Sequence, residues 1–167
     1  MADPIDIGGG VVLRDLQIGD AGWIIQRHAE HYAAEEGFDA SFEALVARIL
    51  ADYIYLHDPV RDRAFVAVRD GQRVGSVFCV GIGPTDAKLR LFLLDPDQRG
   101  TGLGRRMLAE CLAHARAKGF TRMELWTHES HRAACALYRA VGFTCRSSVP
   151  VHTFGCDLVE QQWDIAL

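Results

Sequence analysis

Leu91-Phe92-Leu93-Leu94-Asp95-Pro96-Asp97-Gln98-Arg99-Gly100-Thr101-Gly102-Leu103-Gly104-Arg105-Arg106 is the stretch on which the fold turns. An apolar run ends at Leu94, Pro96 forces a turn, and alternate glycines lead into a segment with helical periodicity. The first N–H groups of a helix lack partners within it and lie at the positive end of its dipole, so they attract an anion. Glycine lets the backbone approach a phosphate with no side chain between. Arg99, Arg105 and Arg106 add cationic charge within one turn. The spacing is not a Walker A loop, because the lysine and hydroxyl of G-x-x-x-x-G-K-[ST] are missing. Nor is it the dinucleotide pattern G-x-G-x-x-G, since the third glycine comes one residue early and antiparallel elements precede it. A helix start whose glycines merely allow close packing stays open beside the anion site.

The flanking sequence supplies the architecture. Upstream, Val11 to Arg14 reads as a strand, and Gly19 to Glu36 as an irregular helix mixing Trp23, Ile24, Arg27, His28, His31 and Tyr32. In a second helix, with Ser41 as its cap, Phe42, Leu45, Val46, Ile49, Leu50, Tyr53 and Ile54 recur at helical spacing. Ala64 to Val68 and Arg73 to Val80 form a hairpin around Asp70-Gly71. Lys88 to Leu94 reads as an almost wholly apolar strand covered on both faces. Downstream come a helix from Gly102 to Lys118, a strand from Arg122 to Thr127, and a helix from Ser130 to Val141. Strands around Phe143 to Val149 and Asp157 to Ile165 follow. This order predicts one α/β (α+β) domain over residues 1–167, with a mixed sheet and helices on both faces. The Lys88 and Arg122 strands should be parallel, joined by the long helix.

Composition narrows the partners. The 167 residues are 49% hydrophobic and 24% charged, with a net charge of −4, so no global basic field favours nucleic acid or an anionic membrane. The five cysteines are dispersed without a C-x-x-C pair, which points to reduced thiols. Neither a secretory leader nor a membrane-spanning run is read, so a cytoplasmic protein is expected.

Two motifs carry a resemblance. R-G-x-G-x-G after a strand and D-P resembles the pyrophosphate loop of the GNAT superfamily of acyl-CoA-dependent N-acyltransferases. Ala134, Leu137, Tyr138, Gly142 and Phe143 resemble its A-x-x-L-Y-x-x-x-G-F helix. Leu125-Trp126-Thr127 and Thr153-Phe154-Gly155-Cys156-Asp157-Leu158-Val159 are similar to segments of acetyltransferase domains fused behind MarR-type winged-helix regulators, of which this chain looks like a free-standing relative.

The resemblance implies a mostly antiparallel sheet of about seven strands and transfer of an acetyl group from acetyl-CoA to a primary amine. Acetyl-CoA would lie where the strand ending at Leu94 parts from the Arg122 strand. The loop residues Arg99, Gly100, Thr101, Gly102, Leu103, Gly104 and Arg105 would bind pyrophosphate, and Phe92, Leu93 and Leu94 the pantetheine arm and thioester. Tyr138 would protonate the leaving thiolate. A phenol near ~10 and a thiol near ~8.5 differ by roughly 2 kcal/mol in water, a deficit that a desolvated site can offset. Two histidines replace customary asparagines. His131 is expected as a cofactor contact that can still donate a hydrogen bond, and His128 follows Leu-Trp-Thr.

On the amine side, His28, Tyr32 and Glu36 are candidate substrate contacts. His28, His31, Tyr32, Glu35 and Glu36 are candidate bases, and Glu124 a further catalytic candidate; His152 is another possible cleft residue. A metal held by His28, His31 and Glu35 is considered, but none is expected. The acceptor is read as a small-molecule or peptide amine, with a homodimer through exposed C-terminal strands as a possible assembly. A non-catalytic acetyl-CoA sensor is the alternative function.

Overall fold

The computed structural model describes residues 1–167. Strand β1 (Ile5–Asp6) and strand β2 (Val11–Asp15) lead into helix α1 (Asp20–Glu36) and helix α2 (Ala40–Leu56). Strands β3 (Arg63–Arg69), β4 (Gln72–Gly81) and β5 (Asp86–Leu94) follow, then one 3-10 turn at Pro96–Gln98. Helix α3 (Leu103–Ala117), strand β6 (Arg122–His128), helix α4 (Arg132–Val141), strand β7 (Thr144–Thr153) and strand β8 (Cys156–Ala166) complete the chain. The elements form one sheet of eight strands, ordered β1-β2-β3-β4-β5-β6-β8-β7. The sequence order is as expected; the strand beyond the expected seven is the two-residue β1, too short to leave a period-2 pattern.

Only β5 and β6 run parallel, in the register Asp86↔Arg122, Ala87↔Met123 and Lys88↔Glu124. Pairing stops there although both strands continue, to Leu94 and His128, so they part like the arms of a V. A bulge increases the divergence: Ser76 of β4 pairs with Leu93 and Phe78 with Arg90, leaving two β5 residues opposite Val77. Leu91 within the bulge has φ +49, and its carbonyl accepts a hydrogen bond from Ser76 Oγ at 2.7 Å.

Alternating residues of the sheet feed two cores. Phe65, Ala67, Val77 and Cys79 pack with Leu103, Met107, Leu108 and Cys111 of α3 on one face. Ala64 and Phe78 pack with Ile24, Val46 and Leu50 of α1 and α2 on the other. At roughly 25 cal/mol per Å² of apolar surface removed from water, these layers dominate stability.

Two expectations change. Ser41 lies inside α2, whose cap is Asp39: its carboxylate accepts the Ser41 N–H at 2.9 Å and the Ser41 hydroxyl. An ionised acceptor two residues before the serine also favours the helix dipole, which explains the displacement. Strand β5 is not wholly apolar in placement either: Ala87 and Leu89 enter the α3-side core, while Lys88 and Arg90 are only half-buried on the opposite face.

The Asp70-Gly71 turn forms as expected, with φ +50 and +75 and Arg69↔Gln72 closing it. A second two-residue turn, Phe154-Gly155, joins β7 to β8 with φ +53 and +74. Phenylalanine at positive φ is costly. Here the ring packs 5.1 Å from both Phe38 and Phe42, and the Phe154 carbonyl accepts the Asp39 N–H at 3.0 Å. The hairpin tip is thereby docked on the α1–α2 corner. No helix is long and apolar enough to cross a membrane.

Candidate active site

Two cavities meet where β5 and β6 part. The first, about 570 Å³, is walled by Phe92, Leu93 and Leu94 of β5, the glycine loop, the start of α4 and the inner side of α1. The second, about 670 Å³, lies between the α1–α2 pair, β5, β6, α4 and the β7–β8 tip. Tyr32, Phe92, His131 and Ala134 border both, so they are two halves of one cleft.

The loop geometry separates the two readings left open by its sequence. Gly100 and Gly102 have φ +74 and +79, a conformation that side chains disfavour. A Cβ at either would meet nothing within 4 Å, so neither glycine serves packing; both leave bare backbone facing the first cavity. Gly104 differs: a Cβ there would stand 3.6 Å from Leu137 and from Phe92, which makes it the close-packing glycine. Gly102 caps α3 without any side-chain hydrogen bond, so the N–H groups of the first turn remain available to a ligand. The Thr101 hydroxyl donates to the Gln98 carbonyl at 2.7 Å and holds the loop instead of entering the cavity. Leu103 is fully buried, so only its backbone can contribute.

The three arginines do not act together. Arg99 and Arg105 line the cavity, but Arg106 turns away to donate to the Ile7 carbonyl at 2.9 Å beneath the N-terminal glycine turn. Arg132 of α4 takes its place at the cavity wall. Arg99 is held by Glu35 through two contacts, at 2.7 and 3.3 Å.

Tyr138 lies on the second half of the cleft, with its ring against Phe92, Phe143 and Trp163. Its hydroxyl has no hydrogen-bond partner in the protein, and burial raises its pKa well above the ordinary tyrosine value. His131, at the N-terminus of α4, stands with Nδ1 3.3 Å from Thr127 Oγ1 and Nε2 3.6 Å from Glu36. Its Nε2 is buried without a hydrogen bond. Tyr32 rests 4.7 Å from the His131 ring, and burial pushes its hydroxyl up to about 12. His28 donates Nδ1–H to the Ile24 carbonyl at 2.8 Å and faces the second cavity. His31 is buried in the first, 3.7 Å from Asp95, with neither ring nitrogen hydrogen-bonded. Glu35 and Glu36 also line that half, and His152 the other.

Glu124 lies just outside the walls of both cavities. It pairs with Lys88 at the closed end of the V and contacts Arg122 at 3.2 Å and Gln162 at 3.3 Å. Glu160, opposite His128 across β6 and β8, lines the cleft in its stead. Lys88, Arg90, Trp126 and Phe42 are further cleft residues that the sequence reading passed over. Charges at alternate positions of an apolar strand were the available signal for Lys88 and Arg90. Nothing local marks Glu160, which β-pairing brings in from the last strand. His28, His31 and Glu35 do not converge, and no three His, Cys, Asp or Glu side chains gather as a metal site.

Burial pushes His28 down to about 4, and burial beside His128 does the same to His131. The unfolded chain titrates them near 6.5, so between these values the unfolded state binds more protons. The stability they contribute is complete above pH 6.5 and is lost as pH falls towards 4, up to roughly 3 kcal/mol for each. Urea unfolding at pH 7 and pH 5 should show a markedly lower midpoint at pH 5; equal midpoints would refute the assignment.

Residues 30–143 match the acetyltransferase (GNAT) family. The chain belongs to that family. Its members are acyltransferases, and this chain carries their fold. Among curated relatives, a mycothiol acetyltransferase of Thermobifida fusca is 33% identical over 136 residues, 81% of this chain and 34% of the relative. That of Thermobispora bispora is 38% identical over 71 residues, 42% of this chain and 20% of the relative. The chain thus spans about a third or less of these two relatives' length. A spermidine N-acetyltransferase from Vibrio cholerae, solved with CoA and spermine, superposes at a TM-score of 0.74 with 19% identity, covering 95% of this chain and 96% of that one. A ribosomal L7/L12 α-N-protein acetyltransferase solved with coenzyme A gives 0.77 with 15% identity, covering 99% and 98%. At such identities these two structures speak for the GNAT fold alone.

Proposed function

We propose that this GNAT chain transfers an acetyl group from acetyl-CoA to a primary amine by direct attack. The observation that carries the reading is the continuity of the cleft. A half lined by bare glycine backbone at a helix start meets a second half at the mouth of the parted strands, with Tyr138 on its wall. The first half fits a pyrophosphate and its pantetheine arm: open N–H groups at α3, Arg99, Arg105 and Arg132 around them, and unpaired β5 edge beside Phe92 to Leu94. Two neighbours of the same fold were solved with CoA bound, which supports the cofactor reading.

Bound acetyl-CoA supplies the activated acyl group. Backbone N–H groups from Gly100 to Arg105 hold the pyrophosphate, His131 contacts the pantetheine arm, and β5 backbone near Leu94 orients the carbonyl and receives its developing negative charge. His28, Tyr32 and Glu36 shape the amine's approach from α1. Tyr138 gives its proton to the departing thiolate as the C–S bond breaks; the attacking nitrogen releases one proton through water, and the phenolate regains one from the same water. Burial that raises the phenol also disfavours a bare thiolate in the same place, so the difference between them governs transfer and stays small. Fixing both reactants supplies much of the acceleration.

Incubation with acetyl-CoA and a broad amine panel, followed by thiol release, tests the proposal. Amine-dependent release is expected. Tight binding of acetyl-CoA with no release above background would favour the sensor. The Glu35–Arg99 pair gives a further check. Each partner is about half exposed, so their contact is worth at most about 1 kcal/mol. Glu35→Gln should free Arg99 for phosphate and tighten acetyl-CoA binding by up to about fivefold in a calorimetric titration. Unchanged or weaker binding would mean that Arg99 does not reach the ligand. The likeness to MarR-fused acetyltransferase domains, a cytoplasmic setting and a homodimer through the open β7 edge remain proposals beside this one.

A further inference from the structure

The amine-side cavity has a cationic floor that acyl transfer itself does not require. Lys88 pairs with Val80 and Arg90 with Phe78 across β4 and β5, and paired residues share a face. Phe78 belongs to the α1–α2 core, so both cations rise on that side, where they line the cavity. Neither forms an ion pair. The Arg90 Nε is buried without a hydrogen bond, and Lys88 Nζ lies 5.2 Å over the Trp126 ring. Three carboxylates act on them from a distance: Asp52 of α2, Glu124 of β6 and Glu160 of β8. Asp52 is exposed on its helix, and Glu124 is engaged by Arg122 and Gln162, which leaves Glu160 as the one carboxylate lining the same cavity. Removing part of a guanidinium from water without a counter-ion is unfavourable, and an anionic ligand relieves it. One wall is apolar, with Leu45, Val46 and Ile49 of α2 and the Trp126 ring of β6, while His28, His128 and His131 line another part of the cavity.

We propose that the acceptor is an amine that also bears a carboxylate, with an apolar body: a free apolar amino acid, its carboxylate held by Arg90 and Lys88. A guanidinium meets a carboxylate through two parallel N–H donors, which suits Arg90 as the principal contact. A polyamine would bring further positive charge against both residues, and a protein N-terminus has no α-carboxylate beside its amine. The inference rests on the acetyl-transfer reading for the place of the amine.

Two measurements keep the two readings apart. Binding of N-acetylphenylalanine and of N-acetylphenylalaninamide to the protein saturated with CoA requires no turnover. The free acid should bind at least about tenfold more tightly, the least expected of a hydrogen bond to a charged group. Arg90→Gln should abolish that preference while leaving acetyl-CoA affinity unchanged, and Arg90→Lys should restore part of it. Lys88→Met provides a second variant should Arg90→Gln fold poorly. In turnover, phenylalanine and leucine should exceed their amides, spermidine and phosphoethanolamine in kcat/KM. Equal binding of acid and amide, a preference that survives both substitutions, or faster turnover of spermidine or phosphoethanolamine would overturn the proposal. Acid-selective, Arg90-dependent binding without thiol release from any amine would sustain the carboxylate site while refuting acetyl transfer.

Discussion

Replacement of Gly102 by valine is expected to weaken acetyl-CoA binding by more than about a hundredfold while the domain stays folded. The position has φ +79 and no atom within 4 Å of a built Cβ, so a side chain can leave the backbone there without meeting a neighbour at its Cβ. The cost to the fold is local backbone strain, on the order of 1–3 kcal/mol. The cost to the ligand is larger. Two branches of valine would occupy the approach to the first N–H groups of α3, and each charge-assisted hydrogen bond lost there is worth roughly 1.5–3 kcal/mol. Calorimetric titration reports the affinity, and circular dichroism reports the fold. Normal binding by a folded variant would show that the loop is not where the pyrophosphate lies.

Tyr138→Phe is expected to lower kcat by about 10²–10³ with acetyl-CoA affinity nearly unchanged, within the range that a positioned general acid contributes. The substitution keeps the ring that packs on Phe92, Phe143 and Trp163 and removes only a hydroxyl that bonds to nothing in the protein. Loss of turnover without loss of binding or stability would therefore locate the effect in the proton. Wild-type turnover in the variant would remove Tyr138 from the mechanism.

Which parts of this molecule were legible follows from the range of the interactions involved. The loop from Arg99 to Gly104 and the Tyr138 helix are local motifs: strand end, proline, positive-φ glycines and a helical start all lie within one stretch of chain. The hairpin at Asp70-Gly71 is equally local. Residues whose roles depend on distant strands were misread. Arg106 follows Arg105 in sequence, yet it leaves the anion site because the N-terminal turn offers it a carbonyl. Glu124 sits at the last position of β6 paired with β5, and Arg122 and Gln162 engage it there. Glu160, Trp126 and Phe42 converge on the cleft through the β6–β8 register and the docking of the Phe154 turn on the α1–α2 corner. No periodicity reports a register between strands whose paired residues lie 32 to 44 positions apart.

By itself, the stretch from Leu91 to Arg106 determined that a strand gives way to a glycine-lined helix start able to hold an anion, because backbone conformation and helix-end charge are set by neighbouring residues. Tertiary structure alone decided which charges surround that start and what faces it. Strand pairing stops at Lys88 and Glu124, and only that parting creates the space across which thioester and amine can meet. Arg90 and Lys88 face that space because the α1–α2 pair and the β7–β8 tip arch over their side of the sheet without covering them, and a side chain's surroundings are set by whichever distant element packs against it.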